Sequence, residues 1–342
     1  MQRISMQTLI EFGTLLLVKR GVPESNARYL SSFVVETEAF RQSTHGLVQF
    51  TTMNKQIGET IDPAAEPEII RDRGSMALIS GERCFGNLAM KLAVETGIKK
   101  AHTHGIGFIA VRNTHWIGAL GMHLIPVARQ GLLVKAWAQT SSCKDCAPYG
   151  AIDARFSTNP IAIAFPTATN PVVADFSTAT MSMSAVLALK RKGNTTLVQR
   201  FVDNSGKPSN DPAVFDDGGT MMFSGLDLEG YKFYGLSLFN EALTVLAGGS
   251  ANNPASPSYQ SFALIVLDPD AFAGAEYYQR EMKRYLDFVK KARPRPGFEV
   301  RLPGERGFAA LEDCRKNGIP LSDEKLGLLN KLAKAVEIAV IA

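Results

Sequence analysis

The chain has 342 residues, 45% of them hydrophobic and 20% charged, a balance that excludes a disordered or fibrous protein. Its length leaves room for one large domain or two ordinary ones, with a sizeable core. A net charge of +4 and a pI near 8.8 are only mildly basic, and no Lys/Arg cluster interleaved with aromatics occurs, which argues against nucleic acid as a partner.

The first stretch, MQRISMQTLIEFGTLLLVKR, is amphipathic, carries Glu11 and lacks a small-residue cleavage site, so it does not read as a signal peptide. Residues 1–60 read as helix after helix, with turns at RGVPES and STHG. The helix from Glu24 to Phe40 has an apolar stripe through Ala27, Leu30, Phe33 and Val34, and Gly46 is expected to stop it. Just before that glycine lies His45, a ring that such a turn can present to a cleft.

A strand is expected at 75–81, a helix at 87–105 ending on Gly105, a strand at 107–113, a short helix at 122–131 and a strand at 132–140. Two β-branched runs around the turn ATNP predict a hairpin over 161–177. A helix follows at 182–193, then a polar, mostly looped stretch to 230, a helix at 234–249, a strand at 261–269 and a helix at 276–294 stopped by Pro294. The tail reads as loop and helix.

This alternation predicts an α/β protein with a mixed sheet flanked by helices. Residues 1–72 form a helical part expected to pack with C-terminal helices of about 275–342, and 73–274 form the α/β cofactor-binding domain.

No run of about 18 apolar residues is present, so no membrane span is expected. Four cysteines make no disulfide framework, which points to a reducing cytoplasm. Cys143 and Cys146 lack the second ligand pair of a structural zinc site, and Pro148 and Gly150 mark a loop where a redox pair would open a helix. They read as bystander thiols, and no metal is expected.

Neither G-x-G-x-x-G after a strand nor a P-loop motif is present. The run from Asp175 through Phe176, Ser177, Thr178, Ala179, Thr180 and Met181 leads from a strand into a helix. Free N–H groups and the helix dipole make an anion site there, although Ser and Thr are also ordinary helix caps. RNTHWIGALG (112–121) has the makings of a pocket wall, with His115 as one candidate, and Asn159-Pro160 shapes a turn before a buried strand.

Taken in order, STHGL (43–47), HGIGFIAVRNTHWIGALG (104–121), STNPIAIAFPT (157–167), VADFSTATMS (173–182), GYKFYGLSLFNEAL (230–243) and LPGERG (302–307) resemble the malate/L-lactate dehydrogenase family of the non-Rossmann type. The look is nearest to its 2,3-diketo-L-gulonate reductase branch. The resemblance implies an α/β sandwich unrelated to the Rossmann fold, a homodimer with active sites near the subunit interface, and NAD or NADP as cofactor. It implies that His45 is the proton donor and acceptor. It also assigns Asp175 to Met181, Tyr231, Lys232, Gly304 and Glu305 to the cofactor.

Three positions depart from the family pattern. Gln49 stands where an arginine can grip a substrate carboxylate, Phe233 replaces a glycine after the motif lysine, and Ser157 replaces a small residue, usually Gly. Arg41 or Arg155 are candidates to replace the lost cation.

The expected reaction is reversible reduction of a 2-oxo acid, a sugar-derived keto acid or a related carbonyl or imine. A histidine suits the proton transfer because its pKa lies near cellular pH. Thr44 and Ser43 are candidates for orienting it, and Gln49 and His115 for meeting the substrate, with a structural role for His115 the competing reading. The rival class is a catalytically silent paralogue that binds a metabolite or a partner protein, which the changes at Gln49 and Phe233 favour. Retention of His45, the 175–181 loop and Lys232 argues for the enzyme.

Overall fold

Ser5 accepts the Thr8 N–H and so opens the first long helix, which is preceded by a three-residue strand. The computed structural model describes residues 2–253, 255 and 257–341. In chain order the N-terminal part holds β1 (Gln2–Ile4), α1 (Met6–Lys19), α2 (Glu24–Ala39) and α3 (Gln49–Gln56). Then come β2 (Glu68–Arg73), β3 (Met76–Ser80), α4 (Gly86–His104), β4 (Ile106–Thr114), α5 (Leu120–Arg129) and β5 (Leu133–Thr140).

The hairpin β6 (Pro160–Phe165) and β7 (Val172–Ser177) is followed by α6 (Met183–Lys192). Three two-residue strands, β8 (Phe201–Val202), β9 (Pro208–Ser209) and β10 (Thr220–Met221), form a small sheet. The chain ends with α7 (Leu226–Leu246), β11 (Gln260–Leu267), α8 (Ala275–Lys290), α9 (Glu305–Asn317), β12 (Ile319–Leu321) and α10 (Asp323–Ala335).

The main sheet has seven strands in the order β2-β3-β4-β11-β5-β6-β7. Only β3 and β4 pair in parallel, joined by the α4 crossover, and every other neighbour is antiparallel. The expected mixed sheet is therefore present, and so is the hairpin. Helices α4 and α5 pack on its strands, while α1 and α2 pack on each other. One large core cluster runs from Leu16 and Val34 through Ile109 and Leu264 to Leu311 and Leu332, so the chain's two ends share it. Among the described residues no helix is long and apolar enough to cross a membrane.

Several elements differ from the sequence reading. The strand β2 is wholly exposed at the sheet edge, and it falls inside the stretch read as helical. β1 and β12 pair antiparallel and join the termini. α7 begins at Leu226, eight residues before the expected start, behind a left-handed Gly225. The stop of α2 is Phe40, not Gly46. Gly46 instead lies against the helix, where a Cβ would come within 2.9 Å of the Glu38 Cα.

Candidate active site

The turn after α2 folds back on that helix through one buried carboxylate. Glu38 accepts the Leu47 N–H on Oε2 at 3.0 Å and the Ser43 hydroxyl on Oε1 at 3.0 Å. Lys325 of α10 donates to the same Oε1 at 2.6 Å, with the Glu38 side chain only 5% exposed. A charge this deep needs such partners. Its reward is a fixed turn at residues 43–47, and with it a fixed His45.

His45 Nδ1 lies 3.0 Å from the Thr44 hydroxyl, and Nε2 has no protein partner among the described residues. A hydroxyl can donate to Nδ1 or accept from it, so either imidazole tautomer is tolerated. Burial lowers the His45 pKa below its ordinary 6.5. The ring is held neutral near pH 7, its proton one step away.

His45 lines a cleft of about 570 Å³ with Arg41, Gln42, Thr44, Asp175 and the loop through Ser182. Asp175, near the end of β7, accepts the Gly121 N–H at 2.8 Å and a side-chain bond from Gln42. Burial outweighs both bonds and pushes its carboxyl up to about 6. The Gln42 amide oxygen is buried with no partner among the described residues, while the residue itself lines the cleft.

The loop from Asp175 to Met181 is laced to its surroundings. Thr178 is fully buried, and its hydroxyl is spent on the carbonyls of Thr158 and Asn159 at 3.1 Å each. The Ser177 hydroxyl caps Ala179 O at 2.7 Å, and the Thr180 N–H donates to Met222 O at 3.0 Å. Asn159 sits at positive φ in the centre of this lacing and donates to Ser237 and Glu241 of α7 at 2.9 Å each. Ser182, one residue later, is the N-cap of α6. Phe176 is exposed at the cleft edge, and Ser177, Ala179, Thr180 and Met181 line the cleft.

Other sequence candidates lie elsewhere. Gly118, Ala119 and Leu120 line the cleft, but His115 of the same stretch is buried against Tyr259, ring centroids 5.1 Å apart, and does not line it. Burial, with Arg83 nearby, takes His115 down to about 4. Gln49 is buried, donates to Thr44 O at 2.6 Å, and faces a second cavity of about 730 Å³ that shares Ser43 and Thr44 with the cleft.

Tyr231 and Lys232 are exposed on α7, where Lys232 pairs with Glu229 at 2.6 Å. Phe233 packs into the small core with Phe156 and Met221, and Ser157 bonds Asn159. Arg155 is exposed and pairs with Asp153 at 2.8 Å, whereas Arg41 lines the cleft. Cys143 and Cys146 are free thiols, the first pushed by burial up to about 12 and the second also raised well above the ordinary thiol value by burial.

Gly304 stands on the wall of a further cavity of about 1200 Å³ that shares Arg41, Gln42, Asp175 and Phe176 with the cleft. Its φ of +96 and the 3.3 Å from a Cβ to the Val173 nitrogen require glycine there. The two spaces form one groove along β7. The combined groove, with small side chains along one wall, has room for a nicotinamide dinucleotide.

The sequence model of the family described as malate/L-lactate dehydrogenase matches residues 4–330. A malate dehydrogenase of Pyrococcus abyssi is 28% identical over 349 residues, covering 98% of this chain and 95% of its own. A 2,3-diketo-L-gulonate reductase of Haemophilus influenzae is also 28% identical, over 94% of this chain and 97% of its own. The equal identities do not single out that branch. The crystal structure of delta1-piperideine-2-carboxylate reductase from Pseudomonas syringae pvar. tomato superposes with a TM-score of 0.85 at 27% identity, covering 97% of this chain and all of that one.

Proposed function

The chain belongs to the malate/L-lactate dehydrogenase family of oxidoreductases, and on that premise we propose that it reversibly reduces a 2-oxo acid or sugar-derived keto acid with NADH or NADPH. The observation that carries this reading is the meeting of His45, Asp175 and the loop to Ser182 in one cleft that continues past Gly304. A bound nicotinamide supplies or receives the hydride.

The chain's own residues do the rest. In reduction His45 Nε2 gives its proton to the oxygen of the carbonyl as that oxygen gains charge, and in oxidation it takes the proton back. Thr44 holds Nδ1 and sets which nitrogen faces the substrate. Asp175 ties the Gly121 N–H and the Gln42 side chain together and so fixes the wall of the same cleft. Alternative substrates with C=N bonds use the same proton step.

We place the enzyme in the cytoplasm as a homodimer. Supporting the dimer, no side chain of the amphipathic helix α8 is fully buried, and Tyr277, Tyr285 and Phe288 on it are exposed. An amphipathic helix gains most of its stability from packing its apolar face, so a second copy is the natural cover. Light scattering at a single mass of one chain removes the dimer. Mixing the protein with a panel of 2-oxo acids and each reduced nicotinamide, and following nicotinamide absorbance, tests the activity. No oxidation with any acid or keto sugar overturns it.

A further inference from the structure

The far end of the groove is unusually cationic. Arg41, Arg301 and Arg306 all line the cavity that continues the cleft beyond Asp175. The guanidiniums of Arg41 and Arg306 make no hydrogen bond or ion pair with the described residues, and Arg301 is paired with Glu299. A guanidinium left unpaired on a concave wall is a ready partner for a dianionic group, which it can meet with two parallel N–H bonds.

The acid that could have read a ribose diol is occupied. Glu305 holds Lys290 through Oε1 at 2.7 Å and accepts the Leu302 N–H through Oε2 at 3.1 Å. Both oxygens serve the loop around Gly304. Glu305 does not line the cavity, whereas its neighbour Arg306 does. Phe298 on the same wall is exposed, with the Arg295 guanidinium 4.3 Å from its ring centroid.

We propose that this pocket receives the 2′-phosphate of the adenosine ribose, with Arg306 as principal contact and Arg301 and Arg41 beside it, so that the enzyme selects NADPH over NADH. The proposal rests on the reading of the groove as the dinucleotide site. A free hydroxyl gains little from guanidiniums, while a phosphate gains a charge-assisted pair. The selectivity is therefore electrostatic and weakens with salt.

The test is fluorescence titration of the full chain with NADPH and with NADH, and with ADP-ribose carrying or lacking the 2′-phosphate. NADPH should bind roughly 10-fold or more tightly than NADH, since a hydrogen bond to a charged group is worth about a 10- to 150-fold change in affinity. Arg306→Ala should remove most of that gap and leave NADH affinity and melting temperature nearly unchanged. Equal binding of the two dinucleotides, tighter binding of NADH, or a loss in Arg306→Ala shared by both overturns the phosphate pocket while the dinucleotide site stands. Failure of both dinucleotides to bind overturns the dinucleotide site itself, and the pocket with it.

Discussion

The backbone N–H of Gly121 donates to Asp175 Oδ2 at 2.8 Å, which ties the first turn of α5 to the end of β7. A Cβ on Gly121 would lie 2.9 Å from the Asp175 Cβ, so the contact depends on a residue with no side chain. The positive end of α5 favours the ionised carboxylate, yet burial still raises its pKa to about 6. The fold keeps a carboxyl that it makes uncomfortable, a pattern typical of functional sites.

The sign of the pH effect follows. In the unfolded chain this group titrates near 3.8 and in the fold near 6, so its cost is absent below 3.8, grows between the two values, and is complete above 6. At pH 8 it amounts to about 3 kcal/mol. Asp175→Asn is therefore expected to raise the melting temperature at pH 8 more than at pH 4, and to lower turnover. A variant less stable than wild type at pH 8, with unchanged turnover, contradicts this account of Asp175.

His45→Ala is expected to lower turnover by roughly 100-fold or more while dinucleotide affinity stays nearly intact. With its pKa below 6.5, His45 is mostly neutral at pH 7. Reduction needs the protonated ring, so its rate should rise as pH falls from 7 toward that lowered pKa. Oxidation needs the neutral ring and should fall over the same range. A flat profile in both directions, or an active His45→Ala enzyme, shows that the proton comes from elsewhere.

Glu38 acts at one remove, through the turn that carries His45. Removing one partner of a buried ion pair typically costs about 3–5 kcal/mol, so Glu38→Ala should be markedly less stable. Glu38→Gln keeps the shape and separates positioning from collapse. It should remain folded, with kcat reduced and KM little changed. Gly46→Ala puts a Cβ 2.3 Å from Glu38 Oε2 and should reproduce the kcat loss without touching any charge. Normal kcat in both variants means the turn does not need this clamp.

Much of the architecture was legible because long apolar periodicities mark their own elements, as in α4, β4 and β11. The misses share a cause. β2 shows six exposed residues and β1 and β12 are only three residues long, so their pairing is decided by distant partners. The first turns of α7 were hidden by Gly230 and by the polar run before it.

At the candidate site, His45 and the Asp175 loop belong to motifs that are visible locally in the sequence. The roles of Gln42, Gly121 and Glu38 arise from contacts 5 to 287 residues apart, which no local pattern records. Thr178 lies in the stretch read as an anion site, and its hydroxyl is committed to backbone carbonyls.

Gln49 carries the riskiest expectation. It lies behind Thr44, on a cavity that shares Ser43 and Thr44 with the cleft and is also lined by Arg191, Lys192, Lys325 and Lys331. Its amide supports Thr44 O, but no charge from this position reaches a substrate carboxylate. Losing a charge-assisted bond lowers affinity by roughly 10- to 150-fold, so pyruvate and oxaloacetate should be poor substrates of the wild type. A hydroxylated keto acid suits an amide better, since Gln can donate and accept. Gln49→Arg extends the side chain past the shared Thr44 wall and should improve use of both simple acids through KM. Efficient wild-type turnover of either acid, with no gain from the arginine, would mean that substrate choice is made by another cation, and Arg41 on the cleft wall is then the residue to change next.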